Sequence, residues 1–155
     1  MVSNIDIDII LKPLSNYAGC YALDDINLVT PDYMGNNVSS FIVNTFEGKY
    51  RYGGHWLLVT FFNDRSGVEV FDSLGLSILI PNKIIRALTR FGTVQCTSPS
   101  LQNPFSDFCG YYVMARCISI SNGQSLEKFY SNFTSDLHLN DTLVKKEMIE
   151  YVNNS

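Results

Sequence analysis

From Trp56 to Phe62 the chain reads Trp-Leu-Leu-Val-Thr-Phe-Phe, a run too apolar and too rich in β-formers for a sheet edge, and therefore a strand covered on both faces. Phe41-Ile42-Val43-Asn44-Thr45 is a shorter strand before it, with Gly48 and Gly53-Gly54 marking the loop between. Asn63-Asp64-Arg65-Ser66-Gly67 has the composition of a hairpin turn, and the return strand Val68-Glu69-Val70-Phe71 ends at Asp72. After Pro81 the apolar period lengthens. Ile84, Ile85, Leu88 and Phe91 share one face of a helix that Gly92 ends. A short strand follows at Val94-Gln95-Cys96. Tyr111 to Ile120 is apolar nearly all the way round, which predicts a buried central helix stopped at Asn122-Gly123. A short helix from about Ser125 and a last one with Val144, Met148 and Val152 in register close the chain. At the start, Ser3-Asn4 followed by Ile5, Ile9 and Ile10 reads as a helix stopped near Pro13, although the Ile-Asp-Ile-Asp-Ile alternation also fits a strand. The sum is an α+β fold, an antiparallel sheet packed against a buried helix, in one domain spanning residues 1–155.

With 155 residues and 46% hydrophobic content the chain suits one well-buried core and is short for two domains. The four cysteines, Cys20, Cys96, Cys109 and Cys117, lack the paired spacing of a structural zinc site, so no metal is expected. No signal peptide or membrane-spanning run is evident, which predicts an intracellular protein with reduced thiols. The Asn-x-Ser/Thr triplets at Asn37, Asn132 and Asn140 are accordingly read as unglycosylated. A net charge of −4 argues against a broad nucleic-acid footprint, leaving local basic patches at Lys49 and Arg51 or at Lys83, Arg86 and Arg90.

Candidate chemistry gathers around Cys109. An ordinary thiol, with a pKa of about 8.5, is mostly protonated at neutral pH and needs an adjacent imidazole or a helix N-terminus to act as a nucleophile. Cys109 stands where the central helix should begin, and its own N–H is one of the free donors of that first turn. Alone, such a cysteine is more often a small buried hydrophobe. Its company changes the odds. His55, one of two histidines, opens the core strand, whereas His138 lies in a polar stretch and reads as a surface residue. The hairpin carries Asp72 back beside His55, where a carboxylate can accept the ring N–H and fix its tautomer. Gln102, in the loop before Cys109, is a neutral amide of the kind an oxyanion hole uses. Gly54 and Trp56 suggest a narrow substrate path with Trp56 as its wall, and a core tryptophan is the equal alternative.

These residues resemble the adenovirus-type cysteine proteases, the adenains, and more closely the adenain-like proteases of Polinton and adintovirus elements. The resemblance rests on Phe41 to Thr45, Gly53-Gly54-His55-Trp56, Phe71-Asp72-Ser73-Leu74-Gly75, Leu101-Gln102-Asn103 through Cys109-Gly110-Tyr111-Tyr112, and Asn140-Asp141-Thr142-Leu143-Val144. It implies that His55 is the general base, Asp72 its orienting acid, Gln102 the oxyanion donor and Cys109 the nucleophile. The implied activity is an endopeptidase that cuts viral capsid or core precursors at glycine-containing sites during virion maturation, in the virion and the host nucleus, as a monomer that requires no cofactor. In adenain, DNA and a disulfide-linked viral peptide stimulate activity; Cys96 is the candidate anchor for such a peptide. SUMO-deconjugating proteases share the His, Asp, Gln, Cys order, which makes deubiquitinase-like or deSUMOylase activity the enzymatic rival. Outside catalysis the rivals are a module that binds a ubiquitin-like or capsid tail without cutting it, and a structural capsid role.

Overall fold

The computed structural model describes residues 2–33, 35–48, 54–64 and 67–155. Gly53, the Lys49 and Arg51 patch, and Arg65-Ser66 of the hairpin turn lie outside the described residues. The N-terminal segment is helical: α1 spans Asn4–Leu11. Ser3 caps it and Asp6 returns the bond to the Ser3 backbone, a reciprocal capping box that decides the strand-or-helix ambiguity.

The sheet has five strands in sequential order, β1 (Tyr17–Tyr21), β2 (Val38–Asn44), β3 (Trp56–Phe62), β4 (Val68–Phe71) and β5 (Val94–Cys96). Its centre, β2-β3-β4, is the expected antiparallel unit, with β3 in the middle. Each edge departs from that expectation, because β1 joins β2 and β5 joins β4 in parallel. Helix α2 (Asn82–Thr89) lies between β4 and β5, the kind of crossover that parallel pairing requires.

Both faces of the sheet are covered, which is why β3 is apolar without alternation. On one face Ile42, Leu58 and Phe71 pack with α1, α3 (Cys109–Ser121) and α5 (Leu137–Asn153). On the other, Phe41, Leu57, Val59 and Val70 pack with Ile84, Ala87 and Leu88 of α2. The central helix α3 is buried from Cys109 to Ile120 except at Tyr111, which is half-buried. It carries one cation into the core: Arg116 lies 3.2 Å from Glu69 of β4.

Helix α4 (Leu126–Tyr130) starts at a Ser125 cap. In α5, Val144 and Met148 are buried as expected, but Val152 is 47% exposed because the last turn runs past the core. The inner face of α5 begins instead with Asn140 and Asp141. Asn140 is fully buried and hydrogen-bonded to Leu101 and Thr134, so its triplet is no acceptor for glycan in the folded chain. All four cysteines are free.

Candidate active site

Register in the central hairpin sets the first part of the site. Leu58 pairs with Phe71, so the residues just beyond, His55 before β3 and Asp72 after β4, emerge at the same end of the sheet. The His55 backbone is held on its other side by Thr45, whose N–H donates to the His55 carbonyl at 2.9 Å and whose hydroxyl accepts the His55 N–H at 2.9 Å. His55 Nε2 lies 2.5 Å from Asp72 Oδ1. The carboxylate also accepts N–H bonds from Leu74 at 2.9 Å and Leu76 at 3.1 Å, while the Thr97 hydroxyl accepts the Asp72 N–H at 2.9 Å.

Cys109 is the first residue of α3, follows Phe108 at the cap position, and is 7% exposed. Its N–H precedes the first intrahelical bond and stands at the positive end of the helix dipole. The Cys109 thiol lies near enough to the His55 ring to raise its pKa. With Nε2 taken by Asp72, Nδ1 is the nitrogen left for the sulfur.

The electrostatics follow from these contacts. Burial, the largest single influence on His55, pulls its pKa down, but the hydrogen bonds and charges of Asp72 and Cys109 together push it up to about 9. Burial likewise raises the Asp72 pKa, and the His55 bond with the Leu74 and Leu76 amides outweighs it, holding the carboxyl below its ordinary range. A pKa raised in this way favours the protonated ring, which lies between the Asp72 carboxylate and the Cys109 sulfur.

Gln102 is 2% exposed and bridges the acid's turn to the loop before Cys109. Its Oε1 accepts the Ser73 hydroxyl at 2.6 Å, and its Nε2 donates to the Ser106 carbonyl at 3.0 Å and the Ser106 hydroxyl at 3.3 Å. The turn after Asp72 packs tightly on this strap. At Gly75, where φ is +63°, a Cβ would lie 2.7 Å from the Ser100 nitrogen.

Gly54 has φ +81°, and a Cβ there would meet Asn44 Oδ1 at 2.1 Å and the Phe46 ring at 2.9 Å. Gly54 is thus needed to seat His55 at the strand mouth. Trp56 is half-buried and packed against the core. Its indole N–H donates to the Val2 carbonyl at 3.3 Å, and its ring lines a cavity of about 360 Å³ with Asn4, Tyr21, Asn44, Phe46 and Glu47. That cavity abuts the site through Trp56; His55 and Cys109 are not in its lining.

No family model and no curated protein matches the chain. Solved structures do. The protease of ASFV superposes with a TM-score of 0.60 at 18% identity, covering 93% of this chain and 66% of its own. AvrA superposes with a TM-score of 0.50 at 18% identity, covering 89% of this chain and 53% of its own. The chain shares its α+β fold with the ASFV protease and with AvrA. The chain spans just under two thirds of the ASFV protease and about half of AvrA.

Of the residues picked out by sequence, Asp72 bonds His55, Cys109 lies near the same ring, and Gln102 is tied to the residue after Asp72 through Ser73 and to the loop before Cys109 through Ser106. Ser73, Thr97, Thr45 and Ser106 carry no signal of their own in the sequence, since a serine or threonine in a polar turn reads like any other. Cys96, at the end of edge strand β5, is half-buried; burial and the Asp72 charge push its thiol up, away from the range of readily exchanging thiols. His138 is exposed, 3.1 Å from the Asn103 amide. Of the basic patch on α2, Arg90 is engaged by the Asn27 and Val29 carbonyls, while Lys83 and Arg86 face solvent. Among the described residues no group of three or more His, Cys, Asp or Glu could hold a metal, and no helix is long and apolar enough to cross a membrane.

Proposed function

We propose that the chain is a cysteine endopeptidase. The observation that carries this reading is the His55–Asp72 bond at 2.5 Å beside Cys109, which opens a buried helix and acts on the same ring. In the proposed cycle the Cys109 thiolate attacks a peptide carbonyl carbon, and the oxyanion forms against the Cys109 N–H and the Gln102 amide. The His55 imidazolium then gives its proton to the leaving amine as the C–N bond breaks, leaving a thioester. Water, deprotonated by His55, attacks that thioester and frees the carboxylate product and the thiol. Asp72 stays ionised throughout, holding the ring's orientation and its charge.

Protein substrates fit this chemistry, with Trp56 walling the approach and capsid or core precursors cut at glycine-containing sites as the specific proposal. Action within an assembling virion in the nucleus, and stimulation by DNA or by a peptide joined through Cys96, follow from the resemblance alone. The thiol chemistry itself draws only on the chain's own residues. Digestion of an unbiased peptide library tests the reading. Cleavage next to glycine, abolished by Cys109→Ala in a protein that still folds, is the expected result. Persistent cleavage by that variant would end the proposal, and release of ubiquitin-like conjugates with library peptides untouched would transfer it to an isopeptidase.

A further inference from the structure

We propose that Ser73 is the positioning residue of the oxyanion donor, its hydroxyl holding the Gln102 amide with N–H turned toward the nucleophile's loop. The proposal rests on the reading of Gln102 as that donor.

The hydrogen bonds assign the amide unambiguously. The Ser106 carbonyl can only accept, so the Gln102 atom 3.0 Å from it is the nitrogen. The other end of the amide is then Oε1, an acceptor, and the Ser73 hydroxyl 2.6 Å away is its donor. Both partners are out of solvent, with Ser73 0% and Gln102 2% exposed, so no water stands ready to replace a lost bond. The Ser73 carbonyl also accepts the N–H groups of Leu101 at 2.8 Å and Gln102 at 3.0 Å. Backbone and side chain of Gln102 are therefore both indexed to the residue that follows the acid. One residue step fixes the spacing between the group that orients the base and the group that receives the negative charge.

Ser73 also acts on the strength of the donor. A hydroxyl donating to an amide oxygen polarises that amide and strengthens its N–H bonds, and the gain is largest when the acceptor carries charge. An oxyanion exists in the transition state and not in the bound substrate, so the contribution appears in kcat and not in KM.

The test compares Ser73→Ala, Ser73→Thr, Gln102→Ala and the Ser73→Ala/Gln102→Ala double variant on one fluorogenic peptide cleaved by the wild type. Rates are normalised to folded protein measured by circular dichroism, and iodoacetamide labelling mapped to Cys109 is followed beside them. Gln102→Ala is expected to lose about 10²–10³ in kcat. Ser73→Ala is expected to lose about tenfold in kcat with KM and the Cys109 alkylation rate unchanged, Ser73→Thr to recover most of it, and the double variant to be no slower than Gln102→Ala. A Ser73→Ala loss that persists in full in the Gln102→Ala background, or a matching fall in alkylation rate, would overturn the proposal. Slow Gln102→Ala beside full-speed Ser73→Ala would overturn the Ser73 role alone. Undiminished turnover by Gln102→Ala would remove the oxyanion reading and this proposal with it, while the Cys109→Ala test would still stand.

Discussion

Strand β4 and helix α3 meet at two charged pairs, and the two are built for opposite ends. At one, Glu69 of β4 faces Arg116 of α3 at 3.2 Å, and the guanidinium is further held by Ser119 and by the Gln124 carbonyl, each at 3.1 Å. At the other, Asp72 ends β4 and Cys109 opens α3, with His55 between them. Arg116 is 2% exposed and cannot release its proton at any ordinary pH, so that pair is a fixed strut inside the core. His55 leaves 20% of its side chain exposed and holds a proton with a pKa near 9. Beside the same two elements thus lie a charge that never moves and one that the proposed cycle hands to a leaving group. The difference lies in the cation and in its distance from solvent.

Breaking each pair should therefore fail differently. His55→Ala is expected to cost about 10⁴ in turnover, the upper range for loss of an acid–base group, with a smaller loss of melting temperature than Arg116→Met. Thermal melts beside peptide-cleavage rates read both quantities. Arg116→Met is expected to do the reverse. It strands the Glu69 carboxylate in the core, costing about 3–5 kcal/mol of stability, and leaves kcat per folded, Cys109-labelled molecule unchanged. Equal losses of turnover in the two variants would mean that the pairs are not independent.

The sequence announced one of these regions and concealed the other. Cys109, His55 and Asp72 stood out because each occupied an element boundary, and Gln102 was read only from its place in the loop before Cys109. Arg116 sits inside a run that reads apolar all round, and its partner lies 47 positions earlier, beyond the reach of any periodicity. Strand β1 escaped for a related reason. Tyr-Ala-Gly-Cys-Tyr has no β-branched residue and every position is half-buried, so neither composition nor alternation marks it. Parallel edges could not be read either, since strand direction is set by where α2 and the chain before β2 cross, not by the strands' own residues. The buried face of α5 misled in the same way: Asn140 and Asp141 look polar, yet they are inside because Leu101, Thr134, Tyr112 and Asn103 satisfy them.

A pH series sharpens the contrast by its sign. The folded-state pKa of His55 is raised, so its stabilising contribution is complete below its unfolded value of about 6.5 and is lost as pH climbs through about 9. The folded-state pKa of Asp72 is lowered, so its contribution is present above the ordinary carboxylate value and is lost as pH falls. Wild type should therefore exceed His55→Gln in melting temperature by a constant margin near pH 6 and by a shrinking one toward pH 9. A flat His55→Gln margin over the same window would show that the His55 proton is not held by the folded state.

The smallest expected effect concerns Ser106, and its direction discriminates between two ways of holding the oxyanion donor. The Ser106 hydroxyl donates to the Asn103 carbonyl at 3.0 Å and accepts from Gln102 Nε2 at 3.3 Å, the longer of the two bonds that nitrogen makes. An incoming oxyanion replaces this weaker acceptor, whereas the Ser106 carbonyl at 3.0 Å is backbone and survives substitution. Ser106→Ala should then free an N–H in advance and raise kcat by no more than about twofold, a fraction of one neutral hydrogen bond. If kcat instead falls about tenfold, the Ser106 hydroxyl is what aims the amide, and the Ser73 anchor 2.6 Å from Oε1 is insufficient alone.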